Sequence, residues 1–132
     1  MYILQITKIG VSGRLVLVVD DNQDAADLLG EALQALGYVI CVSYDGPSAL
    51  ASIETFRPDV AVLDIGLPVM DGYELAQRLR KHPEFKGIRL IAVTGYGQKS
   101  DRDRAHQAGF DEHMVKPVNM KALAEAIKGQ PY

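Results

Sequence analysis

Residues 59–72, with the sequence DVAVLDIGLPVMDG, decide how this chain folds. Residues 60–63 form an unbroken apolar run rich in β-branched side chains, a pattern typical of a short strand buried on both faces of a parallel sheet. The run ends on Asp64, and the glycines and proline that follow require the backbone to turn. Because ligand sites in open α/β sheets lie at the carboxyl ends of the strands, Asp64 is a candidate for chemistry. The alternative is that Asp64 only caps a loop or a helix.

Similar short apolar runs lie on both sides of this stretch, and segments with helical spacing separate them. The predicted strands are Leu15–Val19, Tyr38–Tyr44, Val60–Leu63, Arg89–Val93 and Phe110–Val115. The first predicted helix follows a cap at Asp21 or Asn22 and ends at Gly37. Its apolar residues recur at helical spacing: Ala25, Leu28, Leu29, Ala32, Leu33 and Leu36. The other predicted helices are Pro47–Phe56, Asp71–Lys81, residues 98–108 and residues 119–128.

This alternation of strands and helices indicates the fold class. It predicts an α/β architecture, in which a parallel five-stranded sheet has helices on both faces. This is a (βα)5 three-layer sandwich. Right-handed crossovers leave few topologies for such a chain. We expect residues 14–130 to form this domain and residues 1–13 to be a leader or linker.

Composition narrows the class of protein. The 132 residues suit one domain, with 48% hydrophobic and 23% charged residues, as in ordinary soluble proteins. A net charge of −3 argues against direct nucleic-acid binding. The single cysteine, Cys41, permits no internal disulfide, and the three histidines lack the spacing of a zinc site. No apolar run is long enough to span a membrane and no signal peptide is recognisable, so we expect a cytoplasmic protein.

Polar side chains stand at four of the predicted strand ends: Asp20 with Asp21, Asp64, Thr94 and Lys116. Two like charges about 4 Å apart cost roughly 4 kcal/mol at an effective dielectric near 20, so three carboxylates need a cation to share a pocket. Oxygen ligands of this kind match Mg²⁺. With an ammonium and a hydroxyl donor added, the set predicts phosphoryl transfer, in which a carboxylate can be the covalent acceptor.

Four motifs in this order resemble a known family. They are Val18-Val19-Asp20-Asp21, the stretch from Leu63 to Gly72, Val93-Thr94-Gly95 and Lys116-Pro117. Over about residues 14–128 the chain resembles a response-regulator receiver domain of bacterial two-component signalling. The resemblance implies a flavodoxin-like fold with strand order 2-1-3-4-5.

The resemblance also implies roles for the acidic residues. Asp64 would accept a phosphoryl group from a histidine kinase or a histidine phosphotransfer protein, as in a phosphorelay. Asp21 would bind Mg²⁺ directly and Asp20 mostly through water. The backbone carbonyl of Gly66 would complete the protein ligands.

A switch is implied as well. Thr94 and Lys116 would contact the phosphoryl oxygens, and Lys116-Pro117 would be a cis peptide. The family switches when the threonine moves inward and an aromatic residue of the fifth strand turns in behind it. This chain has His113 where Tyr or Phe is common, and an imidazole is smaller and can carry charge. We therefore expect the response, or the partner surface, to be pH-sensitive near neutrality.

The output surface implied by the resemblance comprises helix 98–108, strand 110–115 and helix 119–128, and it could also form a homodimer. The domain would assist its own phosphorylation and dephosphorylation without being an enzyme with a separate substrate. The sequence is compatible with a stand-alone receiver or one cut from a larger protein, with a preference for the receiver of a hybrid sensor histidine kinase.

An EF-hand calcium loop is one alternative reading of the acidic residues. Asp20, Asn22, Asp24 and Glu31 nearly match it, but Ala25 stands where the loop needs glycine, and a strand rather than a helix precedes it.

Two further alternatives concern the whole domain. A dehalogenase-type phosphatase would also use a strand-end acid, but it commonly needs a second Asp where Gly66 stands. The same fold could instead be a phosphorylation-independent interaction module, and the intact set of polar strand-end residues argues against it.

Overall fold

In a computed structural model of the chain, which describes residues 2–3, 14–95 and 99–129, six strands and five helices are found. The strands are β1 (Tyr2–Ile3), β2 (Leu15–Val19), β3 (Val39–Ser43), β4 (Val60–Asp64), β5 (Arg89–Thr94) and β6 (Glu112–Val115). The helices are α1 (Gln23–Ala35), α2 (Gly46–Phe56), α3 (Gly72–Lys81), α4 (Lys99–Ala108) and α5 (Met120–Lys128). Within this part of the chain, no helix has the length and apolar character that a bilayer crossing requires.

The strands form one sheet in the order β1-β3-β2-β4-β5-β6. The five strands β2 to β6 are parallel, and numbered among themselves they lie in the order 2-1-3-4-5, so the predicted topology is confirmed. Strand β1 was not predicted. Its backbone pairs antiparallel with β3, Tyr2 opposite Val42 and Ile3 opposite Cys41, at the edge of the sheet.

Two apolar cores, one on each face of the sheet, hold the three layers together. One core joins the sheet to α2, α3 and α4 through residues such as Ile53, Leu75 and Ala105. The other joins it to α1 and α5 through residues such as Leu33 and Ile127. Burial on both faces explains why the central strands are continuous apolar runs rather than alternating ones.

Side-chain caps decide where four of the helices begin. Each cap is an Asn or Asp whose side chain accepts the backbone N–H three residues on, which satisfies one of the unpaired donors of the first turn. The caps are Asn22, Asp45, Asp71 and Asn119. Gly37 follows α1 with φ +100°, in agreement with the predicted glycine stop.

Two predictions about local structure need correction. On α1 the buried line consists of Ala26, Gly30 and Leu33, whereas Leu28 and Leu36 are 69% and 55% exposed. The face of α1 that packs on the sheet is centred on Ala26, Gly30 and Leu33, so Leu28 lies off the contact. The last strand is shorter than predicted, because Phe110 belongs to the turn before it and is buried in the core.

Candidate functional site

The acidic residues meet because their strands are neighbours. Strands β2 and β4 are parallel, with Val19 opposite Leu63, so Asp20 and Asp64 lie together at the carboxyl ends of these strands. Asp21 extends the first of these ends. Carboxylate oxygens of the three aspartates all lie within 4.8 Å of one another. The pocket predicted from the sequence is therefore formed.

Asp64 has its two carboxylate oxygens in different environments. The residue is only 7% exposed, because it ends a strand that is buried along its whole length. Its Oδ1 accepts the backbone N–H of Gly66 at 3.0 Å, which orients the carboxylate. Its Oδ2 lies 3.3 Å from Nζ of Lys116. One oxygen is thus held by the turn after β4, and the other faces a cation.

Lys116 lies between two carboxylates. Its Nζ is 3.3 Å from Oδ2 of Asp20 and 3.3 Å from Oδ2 of Asp64. Its backbone N–H donates to the Thr94 carbonyl at 2.8 Å, which ties the end of β6 to the end of β5. The Lys116–Pro117 peptide is cis, as expected. The lysine side chain is 39% exposed, so the ammonium can adjust its position within the pocket.

The charges in the pocket shift two pKa values. Burial alone would lower the pKa of Lys116, but the carboxylates of Asp20 and Asp64 outweigh it, so the net shift is upward. Burial raises the pKa of Asp20; the backbone N–H of Asn22 opposes this rise and the carboxylate of Asp64 adds to it. Lys116 is therefore charged at neutral pH, and its ammonium faces the carboxylates of Asp20 and Asp64.

The remaining predicted residues lie along the last two strands. Thr94 ends β5 and is 5% exposed, one residue beyond Val93, which pairs with Asp64 on β4. Its backbone belongs to the same edge of the sheet as the acids. His113 lies further down β6, opposite Ala92 of β5, and both nitrogens of its ring are buried. His113 is therefore separate from the acidic pocket.

The importance of Gly72, the first residue of α3, was not predicted from the sequence. A Cβ atom at this position would lie 2.6 Å from the carbonyl oxygen of Asp64 and 2.7 Å from Cα of Ile65. The Gly72 N–H also donates to the Ile65 carbonyl at 3.0 Å. The backbone of α3 is thus in direct contact with the end of β4. The available signal was a glycine directly after a helix cap. An isolated helix tolerates any side chain at that position, so a glycine there indicates close contact with another element.

An apolar groove beside the acids was also not predicted. It has a volume of about 630 Å³ and lies between α1 and the segment that follows β6. Its lining includes Leu28 and Leu29 of α1, Pro117 and Met120, and Asp64. The exposure of Leu28 is explained by this groove, because the side chain forms part of its wall.

Comparison with known proteins gives a consistent result. The family model described as the response regulator receiver domain matches residues 16–128. The polar-differentiation response regulator DivK of Brucella anthropi is 33% identical over 113 residues, which are 86% of this chain and 92% of DivK. The regulatory protein VanRc of Enterococcus gallinarum is 36% identical over 115 residues, 87% of this chain and 48% of VanRc. This chain therefore spans nearly all of one relative and about half of the other.

A solved structure is similar as well. It is the receiver domain of the sensor histidine kinase PA1611 from Pseudomonas aeruginosa PAO1, with a magnesium ion coordinated in its active-site cleft. The TM-score is 0.80 and the identity is 30%, over 89% of this chain and 96% of that one.

Proposed function

This chain belongs to the response regulator receiver domain family, a family of phosphoacceptor signalling domains, and on that premise we propose that Asp64 is its phosphoacceptor. The single observation that carries the proposal is the surroundings of Asp64. It is a buried carboxylate that ends the central strand β4, with the Lys116 ammonium 3.3 Å away and two further carboxylates beside it. A carboxylate in this position is oriented by the Gly66 N–H and faces the Lys116 ammonium.

The reaction forms an acyl phosphate. A carboxylate oxygen of Asp64 attacks the phosphorus of a phosphohistidine, the P–N bond breaks, and the imidazole leaves with the bonding electrons and takes up a proton. Water later attacks the phosphorus, which breaks the O–P bond, releases inorganic phosphate and restores the carboxylate. The protein turns over no other substrate, so it is a signalling domain that assists its own phosphorylation and dephosphorylation.

The donor set of the pocket fits Mg²⁺. All three side chains are carboxylates with oxygens within 4.8 Å of one another, which suits a hard cation that prefers oxygen. We assign Asp20, Asp21 and Asp64 as ligands, together with the backbone carbonyl of Gly66. Bound Mg²⁺ would neutralise charge on the phosphoryl oxygens.

Lys116 and Thr94 act on the phosphoryl group after transfer. Phosphorylation replaces the single charge of Asp64 by a dianionic group, so the Lys116 ammonium gains a stronger partner and leaves Asp20 for the phosphoryl oxygens. The Thr94 hydroxyl, at the neighbouring strand end, donates to another of these oxygens. The backbone N–H of Lys116 donates a hydrogen bond to the Thr94 carbonyl at 2.8 Å, so both phosphoryl contacts act on the paired ends of β5 and β6.

The α4, β6 and α5 surface is our candidate for the output. Contacts made only by the phosphorylated form shift a two-state equilibrium of this surface. A homodimer through the surface is one form the output can take. Analytical ultracentrifugation with and without beryllofluoride, an acyl-phosphate mimic, tests it; unchanged mass would exclude the homodimer.

The donor is a cytoplasmic histidine kinase or histidine phosphotransfer protein. Its phosphohistidine must reach Asp64 while its own surface rests on the groove, which supplies an apolar wall at the site. Leu28→Asp should slow transfer from such a protein and leave labelling by a small acyl phosphate unchanged. Leu36→Asp, at the exposed leucine that caps the C-terminus of α1 outside the groove, is the matched control. Equal effects of the two variants would contradict this docking site.

Labelling by acetyl phosphate with Mg²⁺ tests the phosphoacceptor directly. The wild type should gain one phosphoryl group by intact mass, and the group should be released by hydroxylamine. Asp64→Asn should gain none, while Asp103→Asn, which alters an exposed carboxylate on α4, should label normally. Chelation of Mg²⁺ should abolish labelling. An unlabelled wild type would favour the phosphorylation-independent interaction module instead.

We further propose that residues 14–130 form the receiver unit and that residues 1–13 lie outside it, although the backbone of Tyr2–Ile3 extends the sheet. The family match over residues 16–128 supports these bounds.

A further inference from the structure

His113 has an imidazole ring whose polar atoms have no partner. The residue is half-buried, but both Nδ1 and Nε2 are buried and lack a hydrogen bond among the residues the structure describes. His113 pairs with Ala92 of β5, so its side chain is on the face of the sheet covered by α4, where Ala92 and Ala105 belong to the same core. The two ring nitrogens are thus shielded from water on the α4 side of β6.

The charged groups around the ring are few. From α4, Asp101 and Arg102 act on it electrostatically in opposite directions. The facing segment of β5, residues 91–94, carries no charged side chain. On its own strand, Glu112 is in an ion pair with Arg89 at 3.1 Å. Burial lowers the pKa of His113 below its ordinary 6.5; Asp101 opposes this shift and Arg102 adds to it.

The protonated ring does not fit this environment. A neutral imidazole leaves one N–H donor unpaired, which is unfavourable when the donor is buried. An imidazolium has two donors and a full charge, and burial of an unpaired charge costs considerably more. A protonated ring must therefore turn toward water. Because α4 covers the ring, that rotation loosens the contact between α4 and β6.

We propose that His113 is a proton-operated latch: the neutral ring keeps α4 packed on β6, and protonation releases it. For its effect on signalling the inference rests on the proposed function. His113 lies on β6, three residues before Lys116, whose backbone N–H donates to the Thr94 carbonyl just beyond the end of that strand. A phosphoryl group that contacts both Thr94 and Lys116 orders the ends of β5 and β6 in their paired arrangement. The latched surface and the phosphorylated site therefore favour each other.

Thermodynamic linkage defines how the stabilisation by the neutral His113 ring depends on pH. Because the folded state binds the proton less well than the released ring, the stabilisation from the neutral latch is complete above about pH 6.5 and is lost as the pH falls below it. Coupling is reciprocal, so a phosphoryl mimic should lower the pKa of His113 further, and acid should weaken binding of the mimic. Each unit by which the mimic lowers this pKa corresponds to a loss of up to about tenfold in affinity at low pH.

The test is an NMR titration of the His113 ring between about pH 5 and pH 8, with and without beryllofluoride and Mg²⁺. We expect the ring to titrate below its ordinary range, and lower still in the complex. The affinity for beryllofluoride should fall more steeply toward acid in wild type than in His113→Phe, which keeps an aromatic ring without a titrating group. His106→Gln, an exposed histidine of α4, should behave as wild type.

The outcomes separate the two proposals. Identical titration of the ring with and without the mimic, or equal pH profiles for wild type and His113→Phe, would overturn the latch and leave the phosphoacceptor intact. Failure of the wild type to bind the mimic at any pH would contradict the proposed function. The ring titration alone would then decide whether His113 is latched, since a value at or above the ordinary range contradicts burial of the neutral ring.

Discussion

Substitution of Gly72 by alanine is the sharpest test of how the fold builds the site. The added Cβ would lie 2.6 Å from the Asp64 carbonyl oxygen, whereas ordinary van der Waals contacts begin at 3.4 Å. The opposing atoms belong to the backbone, so no side chain can rotate away. Either the end of β4 or the start of α3 must move by about 0.8 Å, the difference between the two distances.

The energetic and kinetic effects of this movement differ in size. Overpacking of this kind costs about 1–3 kcal/mol. Replacement of glycine by alanine in a helix recovers roughly 0.5–1 kcal/mol, so we expect a net destabilisation of up to about 2.5 kcal/mol. Phosphoryl transfer is more sensitive, because a misplacement near 1 Å can cost about 100-fold in rate. We expect acetyl phosphate to label Gly72→Ala about 10- to 100-fold more slowly than the wild type.

Two measurements are needed, and a control separates them. Urea unfolding reports the stability, and the initial rate of intact-mass labelling reports the site. Gly87→Ala is the matched variant, because a Cβ at Gly87 would meet nothing within 4 Å. It should label at the wild-type rate. Wild-type labelling and stability in Gly72→Ala would refute the argument that the close approach of α3 positions Asp64.

Three further predictions follow from other contacts. Lys116→Met removes the ammonium that lies 3.3 Å from each of two carboxylates. The melting temperature of this variant should depend more strongly on added Mg²⁺ than that of wild type. Equal dependence would show that the ammonium does not offset the repulsion between the carboxylates. Arg80→Lys loses guanidinium bonds to three backbone carbonyls and one carboxylate, so urea unfolding should show a loss of about 2–3 kcal/mol. Arg78→Lys, in an exposed pair on the same helix, should lose under about 0.5 kcal/mol, and equal losses would contradict the distinction. Val69 is 97% exposed with φ +68°; relief of this strain in Val69→Gly should stabilise the protein by about 0.5 kcal/mol in the same assay, and a clear loss would contradict the strain.

The main features of the fold were predictable because they depend on local patterns. Apolar runs at regular spacing predicted the five parallel strands, and a cap at Asp21 or Asn22 followed by helical spacing predicted the start of α1. The acids at the ends of β2 and β4 could be expected to meet, because carboxyl ends of parallel strands share one edge of a sheet. Proximity of Lys116 to Asp20 and Asp64 follows from the same rule.

Features that depend on the mutual approach of elements were not predictable. The helical spacing on α1 includes Leu28 as well as Leu33, and only the position of the helix on the sheet decides which is buried. Strand β1 was missed because a two-residue pairing has almost no pattern of its own. The environment of His113 also depends on how α4 packs on β6. Burial of the His113 ring lowers its pKa, so the pH response is expected at a lower pH than the sequence suggested.

The order of residues alone determined the class of fold and the identity of the polar groups at the strand ends, because periodicity is a property of the chain. The strand order 2-1-3-4-5 was implied only by the resemblance to the receiver family. The tertiary structure decided which oxygen of Asp64 faces Lys116, why residue 72 is a glycine and which side of α1 is open. These features depend on distances of a few ångströms between elements far apart in sequence, and such distances are set by the packing of the whole core.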